Sequence, residues 1–336
     1  MVLFIIEVTG HNEIILRKKV FFMKKMILNQ YGSVDVMQMV EAAIPEPAAK
    51  QIVIKTAAIG VNDPDIVIRA NGPFPTMPKE LKPVLPHSLG QDFSGIVTAV
   101  GDDVTRFSVG DHVVGMAFMS TYSEYILLDE SAVVAAVPKE LDLVPLGGFF
   151  LGVATAYGAT IRDGQAKDGQ KVLIHGGAGG VGSKAVQLAK HAGAYVIATG
   201  SAEQADYMKA LGADETIDYQ TEDFTKLVSN VDLVVNLTGP KTLENSYQVI
   251  KKGGRVISVN APINQEETEG RGITGMYSMG FMTVEELEKV IDLYAQGKLD
   301  VLVDKTYPFE LEAIKQAHLD FQAGGNTGKK IIVFDK

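Results

Sequence analysis

The chain contains no cysteine and no tryptophan. Without cysteine there is neither a disulfide framework nor a thiolate-ligated structural zinc. The 6 histidines are scattered, with no H-E-x-x-H or comparable pairing. His87, His112, His175, His191 and His318 therefore read as surface or satisfied packing residues, and no metal site is expected. Basic residues are in the minority: Lys plus Arg total 31 against 41 Asp plus Glu, a net charge of -10. A nucleic-acid partner needs a basic face, so that class is set aside. Long apolar runs are missing too. Val2-Leu3-Phe4-Ile5-Ile6 comes nearest, but Glu7 follows at once, and no basic n-region or small-residue cleavage site flanks it. The run is too short to span a bilayer and lacks the layout of a signal peptide. The expectations are no membrane partner and a cytoplasmic location.

What is present centres on Lys171 to Ser201. Val172-Leu173-Ile174 is a short apolar run suited to a strand buried on both faces. It enters Gly176-Gly177-Ala178-Gly179-Gly180-Val181-Gly182. In Ser183 to His191, Ala185, Val186, Leu188 and Ala189 form an apolar helical stripe. Tyr195-Val196-Ile197-Ala198-Thr199 then makes a second strand, so the unit predicted is a right-handed βαβ. Gly177-x-Gly179-x-x-Gly182 has dinucleotide-binding spacing. One glycine permits the tight turn, the next lets backbone approach a pyrophosphate, and the last lets helix pack on strand. Free N–H groups and the positive end of the helix dipole then face the phosphates.

At 336 residues and 46% hydrophobic content, about two domains are expected. Residues before Met26 are open to two readings. Val2 to Ile6 pairs with Glu13 to Phe22 in a hairpin around Thr9-Gly10-His11-Asn12, or Met23 is the natural start behind an upstream extension. The second is preferred, because a fold-like pattern begins cleanly at Met26. From there to about Val137 the patterns are mainly strand-like, with Gln51 to Thr56, Gly95 to Gly101 and Asp111 to Gly115 as the clearest runs. A loop from Asn71 to Pro86 carries Pro73, Pro75, Pro78, Pro83 and Pro86. It cannot be helical throughout and is expected to cover something. After the glycine-rich turn, helices are predicted over 202–211, 221–228 and 242–250, and strands over 215–218, 231–236 and 255–260. That alternation means a doubly wound parallel sheet, an α/β class. Beyond Thr283 come an amphipathic helix ended by Gly297, a strand near 304–309, a helix over 311–321 and a strand over 330–334. These return to the first domain.

Several motifs agree with one family. Gly90-Gln91-Asp92-Phe93-Ser94-Gly95-Ile96-Val97, with Gly101, Val104 and Gly110-Asp111-His112-Val113, resembles the signature of medium-chain dehydrogenase/reductases. Gly60-Val61-Asn62 with Asp65 and Arg69 looks like the quinone oxidoreductase branch. So do Thr155-Ala156-Tyr157, Gly179 to Gly182, Leu211-Gly212-Ala213-Asp214 and Lys252-Gly253-Gly254-Arg255-Val256. The resemblance runs from about Met26 to the C-terminus. It implies a GroES-like β domain (residues 26–148 and 280–336) and a Rossmann NADP-binding domain (residues 149–279), with the active site in the cleft between. Residues 1–25 lie outside it, and a homodimer is implied. Zinc-dependent members carry a cysteine near Asn62 and a histidine near Gln91, and this chain has neither. The resemblance thus implies a zinc-free, NADPH-dependent reductase whose partner is a small molecule, a quinone or enone. The chain departs from the family at Val67, where a tyrosine often stands, in the longer Asn71–Pro86 loop, and in the ending Gly325 to Lys330. Substrate identity is what these departures leave open.

NAD specificity usually needs an acid at the end of the second strand to accept the ribose 2′-hydroxyl. Here the strand ends Thr199-Gly200-Ser201, which suits a 2′-phosphate better; Ser201 also reads as an ordinary helix N-cap. Resemblance adds Tyr219 beside that phosphate, whereas the basic residue expected in the next turn is Gln204. The cofactor-binding set is Gly177, Ala178, Gly179, Gly180, Val181, Gly200, Ser201, Tyr219, Thr238 and Asn260, the last two following sheet strands at their carboxyl ends. Hydride transfer without a metal rests on positioning and on donors aimed at the developing oxyanion. Asn62 is the first candidate donor, or else a turn former before Asp63-Pro64. Thr155 is placed by the nicotinamide, or is a capping hydroxyl. Arg69 meets an anionic substrate or pairs with a surface acid, and solvent supplies the proton. Two other functions stay open: a 2-enoyl-thioester or activated-alkene reductase, and an NADPH-binding sensor with little catalysis.

Overall fold

The computed structural model describes residues 4–8, 14–18, 20–75 and 77–335. Gln51–Gly60 is the spine of the first lobe. Its alternating, β-branched sequence pairs antiparallel with both Asp92–Val100 and Tyr125–Asp129. The sheet runs Val303–Pro308, Lys329–Val333, Gln51–Gly60, Asp92–Val100, His112–Met116, Val134–Val137. The last strand of the chain therefore closes on an early one, Ile331 opposite Gly60, and returns to the first lobe. Ile52, Ile54, Phe93, Ile314 and Ile332 lie in one buried core.

Phe22–Leu28 pairs with Met37–Ala43, so the lobe's pattern begins at Phe22 rather than Met26, and Met23 is buried in it. Phe4–Val8 pairs antiparallel with Ile14–Lys18, the hairpin alternative; its turn lies outside the described residues. Among its described residues beyond helix Asp63–Asn71, the proline-rich loop forms a single 3-10 turn, Lys79–Leu81. It lays Phe74, Met77 and Leu85 against the core.

The second lobe is a fully parallel sheet ordered Glu215–Asp218, Tyr195–Gly200, Lys171–His175, Val231–Asn236, Ile250–Ser258, Thr274–Tyr277. Lys171–His175 has its neighbours on opposite sides, the point at which ligands enter such sheets. Several helices are shorter than the pattern suggests. Ala205–Ala210 follows a 3-10 turn, Phe224–Leu227 begins at the Asp223 cap, and Pro240–Ser246 ends before a strand that starts at Ile250. Elements beyond expectation include the helices Asp63–Asn71 and Gln265–Arg271 and the sixth strand, Thr274–Tyr277. Val284–Ala295 starts at Thr283, whose hydroxyl accepts from the Glu286 N–H at 3.2 Å. It buries Leu287, Val290 and Ile291 in a core shared with Phe149 and Val114, from both lobes. Among the described residues no helix is long and apolar enough to cross a membrane.

Candidate active site

The glycine turn after Lys171–His175 is sterically fixed. A Cβ at Gly182 would lie 2.0 Å from the Gly176 carbonyl oxygen, and one at Gly177 would lie 2.8 Å from Ala198 Cβ. Gly176 adopts φ +78°, a left-handed conformation that favours glycine. Gly179 differs: a Cβ there would meet only the Gly176 oxygen, at 3.5 Å. The turn spends its Gly177 N–H on Thr199 O and its Gly179 N–H on Gly176 O. Among the described residues, this leaves the Ala178, Gly180, Val181 and Gly182 N–H groups, of which Gly180 and Val181 immediately precede helix Gly182–His191, for a ligand at its start. Such a glycine cradle under free N–H groups fits a pyrophosphate.

The other residues of the cofactor set gather around the same rim. The Tyr219 N–H donates to Gly200 O at 3.1 Å, which brings Tyr219, Gly200 and Ser201 together. Ser201 N–H donates to Gln204 Oε1 at 3.0 Å, and Gln204 Nε2 donates to Thr327 Oγ1 at 3.1 Å. The C-terminal tail is thus tied to the end of the second strand. Thr238 donates to Asn236 Oδ1 at 2.9 Å and packs over Gly176. Asn260 Nδ2 donates to Leu237 O at 2.8 Å.

Beneath the turn the two lobes share a buried polar cluster. Asn62 caps helix Asp63–Asn71, and its N–H donates to Asp65 Oδ2 at 2.9 Å. Its side-chain amide donates to Asp92 Oδ2 at 3.1 Å and to Gly60 O at 3.2 Å. Its Oδ1 accepts from Lys329 Nζ at 2.5 Å. A cation on one side and a carboxylate on the other fix the amide's orientation. Both amide hydrogens are therefore directed inward, and the residue expected to offer a donor to substrate is a link in the cluster. Asp92 also accepts from the Leu151 N–H at 2.6 Å, in the helix Phe150–Tyr157 that carries Thr155. Thr155 gives its hydroxyl proton to Leu151 O at 2.8 Å, and a Cβ at Gly280 would lie 2.6 Å from its Oγ1. It therefore stands where the chain leaves the parallel sheet for the first lobe.

Burial dominates the electrostatics. It pushes the Asp65 carboxyl up to about 7, against the pull of its two N–H donors and Lys329. It also raises Asp92, opposed first by Lys329. Lys184, wholly buried in the first turn of the fingerprint helix, is brought down to about 7 by burial and then by Lys329. Its Nζ donates to Gly180 O at 2.8 Å.

Arg69 does not pair with a surface acid. It is buried and donates to Gly32 O at 2.7 Å and Gln322 Oε1 at 2.9 Å. His175 and His318 are buried packing residues, as expected. His175 lies within hydrogen-bond reach of Thr199 Oγ1 and Ser246 Oγ, His318 of the Tyr122 hydroxyl. Sequence reasoning missed Lys184 and Lys329 as site residues. Lys329 was legible only as one of two lysines after Gly328, and Lys184 sat outside the apolar stripe as a solvent-facing position would.

Two family models match the chain: the alcohol dehydrogenase GroES-like domain over residues 48–157 and the zinc-binding dehydrogenase over residues 211–332. A quinone oxidoreductase of Sus scrofa is 31% identical over 90% of this chain and 95% of its own. A 2-methylene-furan-3-one reductase of Solanum lycopersicum is 30% identical over 92% and 79%. Among solved structures, the quinone oxidoreductase of Coxiella burnetii superposes with TM-score 0.84 at 31% identity, covering 93% of this chain and 99% of that one. The Escherichia coli quinone oxidoreductase complexed with NADPH gives 0.82 at 27%, covering 92% and 99%. With a GroES-like lobe joined to a six-stranded parallel sheet and relatives matched over nearly their whole length, the chain belongs to the quinone oxidoreductase branch of the medium-chain dehydrogenase/reductases.

Proposed function

We propose that this oxidoreductase works without zinc and transfers hydride from NADPH to quinones or other electron-poor carbonyl acceptors. The observation that carries this reading is the Lys329 ammonium on Asn62 Oδ1. By resemblance, Asn62 stands where the zinc-dependent members place a ligand. Here that position faces a fixed cation, which repels a second one. The preference for NADPH is supported by the end of the second strand, where Gly200 and Ser201 present no carboxylate, and by the NADPH found with the E. coli relative.

When bound, NADPH supplies a hydride from its nicotinamide. The chain's own groups bind and orient. Gly180 and Val181 N–H groups receive the pyrophosphate, Thr238 and Asn260 border the nucleotide at the strand ends, and Thr155 lies on the nicotinamide side. The Asn62–Asp92–Lys329 cluster holds the two lobes in register behind the reacting atoms, and solvent supplies the proton. A cytoplasmic homodimer goes with this reading.

The tomato relative's name favours a second reading, hydride addition to an activated alkene. Following NADPH oxidation optically, with 1,4-benzoquinone, an enone and crotonyl thioester in parallel, separates the two. Quinone turnover well above the uncatalysed rate supports the first; turnover of the alkenes alone moves the enzyme to the second. Tight NADPH binding with no turnover leaves only a cofactor-binding sensor.

A further inference from the structure

Lys184 has an unusual setting for a lysine. It lies at 0% exposure in the first turn of helix Gly182–His191, and its Nζ donates to the Gly180 carbonyl at 2.8 Å. Room for its stem comes from another element. A Cβ at Gly152 would lie 2.8 Å from Gly180 O and 3.2 Å from the Lys184 Cδ. The glycine in helix Phe150–Tyr157 therefore makes space for both the carbonyl and the lysine. The carbonyl of Gly180 and the N–H of Val181 belong to one peptide unit, and that N–H is among those left free at the turn. A hydrogen bond from a cation to the oxygen of a peptide polarises the unit and strengthens its N–H as a donor.

We propose that Lys184 is a cofactor-affinity residue acting through the Gly180–Val181 peptide, so that the charge on its ammonium sets how tightly the turn holds a dinucleotide pyrophosphate. The proposal rests on the cofactor reading above and goes beyond it, because Lys184 lies behind the turn and no residue of the expected cofactor set carries a charge. It makes the affinity depend on pH. Burial lowers Lys184 first, to about 7, and Lys329 from the last strand lowers it further; Asp92 from the first lobe and Asp300 beside the helix favour its charged form. Its own helix, with the positive dipole end at this turn, disfavours that form. Helix Phe150–Tyr157, packed on its stem, brings no charged residue. An arriving pyrophosphate favours the ammonium, so binding near neutral pH takes up a proton.

The test is cofactor binding rather than turnover. NADPH and NADH fluorescence titrations are run from pH 6 to 8.5 on the wild type, Lys184→Arg and Lys184→Met; the absence of tryptophan keeps the protein background low. In the wild type the dissociation constant rises about three- to tenfold across that range, the size expected for losing one nearby charge. Lys184→Arg stays tight and flat, and Lys184→Met is weak and flat. NADH, which has no titrating 2′-phosphate, shows the same dependence. Calorimetry on the wild type in two buffers of different protonation enthalpy reads the proton taken up at pH 7.5 and needs no variant to fold. A Lys184→Met protein with unchanged pH dependence, a dependence seen with NADPH alone, or no proton uptake with NADH would each overturn the proposal while leaving the cofactor site intact. Failure of wild type to bind either dinucleotide at any pH would overturn it together with the reading it rests on.

Discussion

Lys329 Nζ stands 3.6 Å from Asp92 Oδ2, with side-chain exposures of 6% and 0%. One residue comes from the last strand of the chain and the other from the start of Asp92–Val100, and Asn62 bridges them. A buried pair of this kind gains little over an apolar replacement, but breaking it leaves a charge with no compensation. Lys329→Met is expected to destabilise the protein by about 3 kcal/mol for that reason. Lys329→Met with Asp92→Asn should lose less than the two single changes added, by about 1–3 kcal/mol, because both charges go together. Urea denaturation of the four proteins measures this, and strict additivity would show that the pair does not act as a unit.

The middle and last glycines of the fingerprint have opposite failure modes. At Gly182 a Cβ would lie 2.0 Å from backbone, so Gly182→Ala must open the turn and lower the melting temperature. At Gly179 nothing presses from within, so Gly179→Val folds and instead fills the space above the free N–H groups. The expected results are a large loss of stability with Gly182→Ala, and near-normal stability with at least tenfold weaker NADPH binding for Gly179→Val, a loss of about 1.4 kcal/mol. Thermal melts and NADPH titrations check both. Unchanged binding by Gly179→Val would remove the turn as the pyrophosphate site.

How far the sequence carried depended on the range of the interactions involved. The fingerprint was legible because its glycine spacing, the apolar run before it and the stripe after it all lie within one stretch of about thirty residues, the length of a βαβ unit. Helix Asp63–Asn71 went unread although Pro64 sits in its first turn, a favoured place for proline. There the asparagine before Asp-Pro was taken equally well by a turn. Strand Thr274–Tyr277 is four residues long with a glycine inside, too short to show a period. Asn62 meets Lys329 across 267 positions, and no local pattern announces such a contact. Lys184 was hidden for another reason. A charged residue on an amphipathic helix normally faces water, whereas Gly182 through Ala189 are all buried here.

Acid should weaken the protein through two buried histidines. Burial lowers both His175 and His318 to about 3, against an ordinary value near 6.5 in the unfolded chain. Between those values the unfolded state binds protons that the folded state does not, so stability falls as pH drops from about 6.5 toward 3. Asp65, raised to about 7, works the other way: below 7 the folded state holds a proton that the unfolded carboxylate releases down to its ordinary value, which favours folding. Replacing His318 with glutamine, which keeps a polar group near the Tyr122 hydroxyl, should flatten the acid limb of melting temperature against pH. An unaltered slope would place the acid sensitivity elsewhere.

Gln204 offers the sharpest test of nucleotide preference. It sits one turn beyond Ser201, accepts the Ser201 N–H and reaches across to Thr327 in the C-terminal tail. A 2′-phosphate at the end of Tyr195–Gly200 would lie against Ser201 and Tyr219, neither of which is cationic. Gln204→Arg adds a guanidinium there, and a charge-assisted bond to phosphate is about twice as strong as a neutral one. The ribose hydroxyl of NADH gains nothing comparable. The ratio of kcat/KM for NADPH over NADH should therefore rise about tenfold, close to 1.4 kcal/mol of discrimination, with kcat little changed. The link to Thr327 is lost in the same substitution, and that loss affects both cofactors alike, so it moves each KM but not their ratio. Gln204→Ala separates the two effects: it breaks the tail contact without adding charge and should leave the ratio where it was. If Gln204→Arg raises KM for both nucleotides equally, the 2′-phosphate does not lie beside Ser201, and the preference for NADPH must be sought at another part of the rim.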